Sequence, residues 1–174
     1  MWRAYDDLSS NDYLEHLVSL HDQTPGLGLA VPQVRTEIDD RPEPRMHLWQ
    51  PPAQVSGIQR LRHFLMTSHA SWVYGLWNHA ALVDTLEQTA TYTDDWARDH
   101  LMLLAMFLQD RVAGTNATEF RQRILRSRTS RAERIAAQPS FSEMRRIRHS
   151  FDATGRAMID RVDWQAGERK QIDK

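Results

Sequence analysis

Nine arginines fall between residues 119 and 150: Arg121, Arg123, Arg126, Arg128, Arg131, Arg134, Arg145, Arg146 and Arg148. Only Glu119, Glu133 and Glu143 oppose them, so the stretch carries net +6. Guanidinium forks match phosphate oxygens two at a time, and such a cluster predicts contact with a nucleic-acid backbone without reading of bases. The overall charge of −1 conceals this, because residues 1–118 carry net −7. The alternative is a salt-bridged face, with these arginines set against the acidic half of the same chain or of another copy. Arg outnumbers Lys 20 to 2 along the whole chain, so the clustering carries the information rather than the choice of arginine.

The other chemistry-bearing residues are more scattered. Metal ligands on one helix face need spacings of three or four. The closest histidine pairs, His16/His21 and His63/His69, are five and six apart, and His79 and His100 lie on different predicted helices. Whether His63, His69, His79 and His100 converge depends on the fold. Asp95 and Asp99, beside His100, have the spacing of an acid/base or divalent-ion pair, and equally that of carboxylates complementing a helix dipole. Thr24-Pro25-Gly26-Leu27-Gly28 lacks the lysine of a phosphate loop, no nucleophile elbow is present, and the chain has no cysteine; thiol catalysis, disulfides and cysteine-based metal sites are excluded. Asn116-Ala117-Thr118 matches a glycosylation sequon and is read as the lead-in to a helix. Trp72, Trp77 and Trp96 are expected in the core, whereas Trp2 and Trp49 fall in a predicted tail and loop where they could stack on a base or dock a partner. No catalytic residue, metal or cofactor is assigned.

The elements that would position these residues read as helical. Six of the seven prolines lie between Pro25 and Pro52, which argues against a long helix or a central strand and predicts an extended loop over residues 23–56. A short hairpin such as Val31–Ile38 remains an alternative. A helix ending near Asp22 precedes the loop, capped by Ser10 or Asn11. After it, apolar steps of three and four from Ile58 to Leu86 predict an amphipathic helix broken near Ser68–Ser71 or Gly75. Residues 101–108 are apolar all round and predict a central helix, capped by Thr93 or Asp94, with Gly114 beyond its end. Ser130/Glu133 and Ser140/Glu143 fit the capping box. They predict helices over Arg131–Gln138 and from Phe141 to about Trp164, after one over Thr118–Arg128. On these helices Arg123, Arg126 and Arg134 would form one solvated ridge. The expectation is a single all-α domain of five to seven helices over residues 1–174: an N-terminal helix within 1–22, the loop 23–56, a helical core 57–165 and a tail 166–174.

In size, lack of cysteine, helical pattern and Arg-rich helices over 119–150, the chain resembles the small all-helical subunits of CRISPR effector complexes. That resemblance implies a non-catalytic subunit that steadies guide-bound or displaced strands, with several copies side by side and acidic surfaces meeting basic ones. The expected partners are nucleic acid, other protein subunits and further copies of the chain. A protein–protein adaptor and a helical-bundle metalloenzyme are the alternatives. No apolar run reaches the roughly 18 residues of a membrane span, and the acidic N-terminus does not fit a signal peptide, so a cytoplasmic location is expected.

Overall fold

The computed structural model describes residues 6–52, 57–125, 130, 132–133 and 137–164. Among them are five α-helices and a five-stranded mixed sheet. The all-α helical bundle is therefore corrected to a mixed α/β fold. The strands are β1 (Leu8–Ser9), β2 (Leu29–Ile38), β3 (Arg45–His47), β4 (Leu76–Trp77) and β5 (Val112–Ile124). The helices are α1 (Tyr13–Gln23), α2 (Gly57–Thr67), α3 (His79–Thr89), α4 (Arg98–Leu108) and α5 (Phe141–Asp160), with a 3-10 turn at Ala70–Tyr74. The likeness to the small CRISPR subunits rested in part on an all-helical pattern, and the sheet removes that part of its ground.

Strand β2 is central. It runs parallel to β5 on one side, while β4 and β3 pair antiparallel with its first and second halves on the other; β1 closes the far edge of β5. The proline that argued against a strand sits at the break in both ladders. β4 pairs with Leu29 and Ala30 and β3 with Val34 to Thr36, leaving Pro32 between them. On the other side the register with β5 jumps between Pro32/Thr115 and Gln33/Glu119, so Asn116, Ala117 and Thr118 bulge outward. Whichever way a donor at Pro32 would have pointed, its absence costs no ladder bond. The loop 23–56 is thus corrected to the central strand β2 and its antiparallel partner β3; Val31–Ile38 is part of one continuous strand rather than a hairpin in itself.

The bulge also fastens the second proline-rich stretch. Asn116 accepts from the Trp49 N–H (2.7 Å) and donates to its carbonyl (3.0 Å). The Trp49 ring lies against Gly114, where any Cβ would collide with the indole, and packs on Trp72 at 5.3 Å. Trp49 is buried rather than exposed, and Gly114 is a seat for an indole rather than a helix stop.

Other expectations hold. Every residue from Leu101 to Phe107 is buried, so α4 is the central helix, although it begins only at Arg98. The chain breaks at both places anticipated, Ser68–Ser71 and Gly75, but strand β4 intervenes between Gly75 and α3. Ser140 caps α5 by accepting from Glu143 N–H, and Ser130 and Glu133 make both bonds of a capping box. α5 turns Ile147, Gly155 and Met158 inward against α4. Trp72 is fully buried as expected, whereas Trp96 is largely exposed. Trp2 lies outside the described residues. No helix among the described residues is long and apolar enough to cross a membrane.

Candidate functional site

The outer face of α5 carries an open cationic surface. Arg145 and Arg148 are exposed and have no partner among the described residues; with Ser142, Arg146, His149 and Asp152 they border a shallow groove of about 540 Å3. Arg156 is exposed one turn beyond Asp152 on the same helix. Arg146, by contrast, is committed. Its guanidinium donates to both oxygens of Asp94 (3.1 and 2.7 Å), and that pairing holds the Asp94 carboxyl below its ordinary range.

Arg121 and Arg123 are not on a helix at all. In β5 they alternate with Phe120, Gln122 and Ile124, so they share the opposite sheet face with Arg35 and Glu37 of β2, their registered neighbours. Arg121 is ion-paired with Glu119 of its own strand, and Arg35 with Glu37 at 2.9 Å. Arg123 is exposed, and its backbone N–H is accepted by Asp7. The ridge of Arg123, Arg126 and Arg134 is therefore corrected, because a strand projects residues at period two. Arg126, Arg128, Arg131 and Arg134 lie outside the described residues.

The inward face of the sheet ends in a second concavity. Across β5, β2 and β3, Phe120, Val34 and His47 form one row; Gln122, Thr36 and Arg45 form the next. The first row is closed by Tyr74, stacked on Phe120 at 5.2 Å. The second opens into a cleft of about 410 Å3, lined also by His69 at the start of the 3-10 turn. Four of the polar side chains here are fixed by other bonds. Thr36 donates to Gln122 Oε1 (3.3 Å), His47 Nε2 bonds the Thr67 carbonyl (2.5 Å), and His69 Nδ1 accepts from Ser71 N–H (3.1 Å). Burial, with the charges of His47 and then His100, pushes His69 down to about 4, opposed only by Asp99. At neutral pH it is an uncharged imidazole carrying its proton on Nε2.

Little else supports catalysis. Thr118 Oγ1 donates to Asp12 Oδ1 (2.9 Å) and lies 2.5 Å from Ser10 Oγ, while His16 reaches the same carboxylate at 3.5 Å. The hydroxyls bond the carboxylate, so neither is paired with the His16 imidazole as a Ser–His nucleophile would be. Among the described residues no three His, Asp or Glu side chains gather to hold a metal. His63 bonds the Gln50 carbonyl and His79 is exposed at the start of α3. Asp95 precedes α4 while Asp99 sits in its first turn and accepts from His100 N–H, which is the helix-dipole role.

Compared with protein-family models, curated proteins and solved structures, the chain matches none. The cleft residues Thr36, Arg45, His47 and Gln122 escaped sequence reasoning because they lie on strands read as loop or helix. Alternation in Val34–Ile38 and Thr118–Ile124 was the available signal.

Proposed function

We propose that this chain is a non-catalytic, nucleic-acid-binding subunit that holds the phosphate backbone on the outer face of α5. The observation that carries the reading is the pair Arg145 and Arg148, exposed and without a partner among the described residues around an open groove, while their neighbour Arg146 is neutralised by Asp94. Backbone phosphates are the ligand such a face suits: the groove is shallow and bordered by exposed guanidinium groups. Other subunits or further copies of the chain would extend it. Binding of single- and double-stranded oligonucleotides across salt tests it. Each phosphate contact contributes about −0.7 to the log–log slope for single strands, so Arg145→Glu with Arg148→Glu should flatten it by about 1.4. No binding at low salt, or a slope unchanged in that variant, defeats the reading.

An adaptor role is favoured by a different feature. Leu65, Leu104, Phe107, Phe151 and Ile159 line an apolar groove of about 420 Å3 between α2, α4 and α5. Its polar rim is His100, Ser68, Asp152 and Arg156.

A further inference from the structure

The cleft at the end of the sheet has a donor set that no part of the α5 reading uses. β2 and β5 are parallel and both end here, at Ile38 and Ile124; open sheets place ligands outside the carboxyl ends of parallel strands. Three donors reach the cleft from three elements. Arg45 of β3 is exposed and without a partner among the described residues. Gln122 of β5 has its Oε1 occupied by the Thr36 hydroxyl, which leaves its amide NH2 as donor. His69 has its Nδ1 occupied by Ser71 N–H, which leaves Nε2–H. His47, whose ring centre is 5.1 Å from that of His69, spends Nε2 on the Thr67 carbonyl and offers Nδ1, an acceptor when neutral and a donor when protonated. Among the described residues no carboxylate lines the cleft; its remaining walls are Ile38, Met46 and Ile124.

We propose that this cleft binds a phosphate group, either as free inorganic phosphate or as the terminal monoester of a small molecule. A guanidinium, an amide and an imidazole N–H arriving from three directions suit a tetrahedral oxyanion better than a planar carboxylate, which offers only two oxygens. The apolar walls beside the donors suit the organic part of a monoester. The proposal is independent of α5, since none of the cleft residues lies on that helix.

Titration calorimetry of the full chain with inorganic phosphate, adenosine 5′-monophosphate, adenosine and acetate tests it. Saturable binding of phosphate or the nucleotide, with adenosine and acetate much weaker, is expected; which of the two binds tighter identifies the source. Arg45→Gln should weaken binding about tenfold or more, the loss of one charge-assisted hydrogen bond. His69→Asn, whose Oδ1 can still accept from Ser71 N–H, removes only the Nε2 donor and should weaken binding several-fold. Arg145→Glu with Arg148→Glu should leave it unchanged. The proposal is overturned if neither phosphate probe binds, if acetate binds as tightly, or if Arg45→Gln and His69→Asn bind as the unaltered chain does. Loss of phosphate binding only in the α5 variant also overturns it, by placing the anion on that helix. Absence of oligonucleotide binding alongside retained phosphate binding would instead count against the α5 reading alone.

Discussion

His69 should make the fold sensitive to mild acid, and the sign follows from the direction of its shift. Folding lowers its pKa from an ordinary 6.5 to about 4, chiefly through burial, then through His47 and His100. Above 6.5 the ring is neutral folded and unfolded, and the full stability is present. Between 6.5 and 4 only the unfolded chain takes up the proton, so stability falls by about 1.4 kcal/mol per pH unit. Below 4 both states bind it and the loss levels off near 3 kcal/mol in total. His69→Asn isolates this contribution, because it can keep the acceptor for Ser71 N–H while removing the titration. Urea unfolding of both proteins at pH 7 and pH 4.5 should show the unaltered chain losing roughly 2–3 kcal/mol more than the variant over that interval. His47→Gln keeps an amide donor for the Thr67 carbonyl and removes the second cause of the shift. The His69 proton resonance should then titrate at higher pH. Parallel stability curves for the unaltered chain and His69→Asn would refute the assignment, since the acid loss would then belong to other groups.

Asp94→Asn should release Arg146 to a phosphate partner, strengthening oligonucleotide binding and steepening the single-strand salt slope by about 0.7, as read in the same salt titration. Gly155→Ala should raise stability by about 0.5–1 kcal/mol. A Cβ there would meet Leu104 and Leu101 at 3.7 and 3.8 Å, ordinary contact in mid-helix, so a higher thermal midpoint is expected. Trp49→Ala should cost about 3–5 kcal/mol in denaturant unfolding, as loss of a buried indole does. A neutral result would mean that the 39–52 segment is not docked on the bulge.

What the sequence made legible was local. The serine caps at Ser130 and Ser140, the all-round apolar helix 101–107 and the breaks near Ser68 and Gly75 depend on neighbours within a few residues, and they stand in the structure. What it hid depends on residues far apart. Pro32 is a poor central-strand residue until β3, β4 and the bulge at Asn116–Thr118 all leave the same gap around it, and those partners come from segments up to 86 residues away. Thr118–Ile124 alternates as a strand must, but its arginines also satisfy a helical count, and only the ladder with β2 decides the period. That decision changes the functional argument. A continuous helical ridge would have joined Arg123 to the later arginines in one surface. As a strand, β5 sends Arg121 into an ion pair and leaves Arg123 on the sheet, apart from the exposed Arg145 and Arg148 of α5. The same period turns Gln122 to the opposite face, beside Thr36 and Arg45. The period of one segment thus decides whether Arg121 and Arg123 belong with the arginines of α5 or with the sheet, and the ladder places them on the sheet.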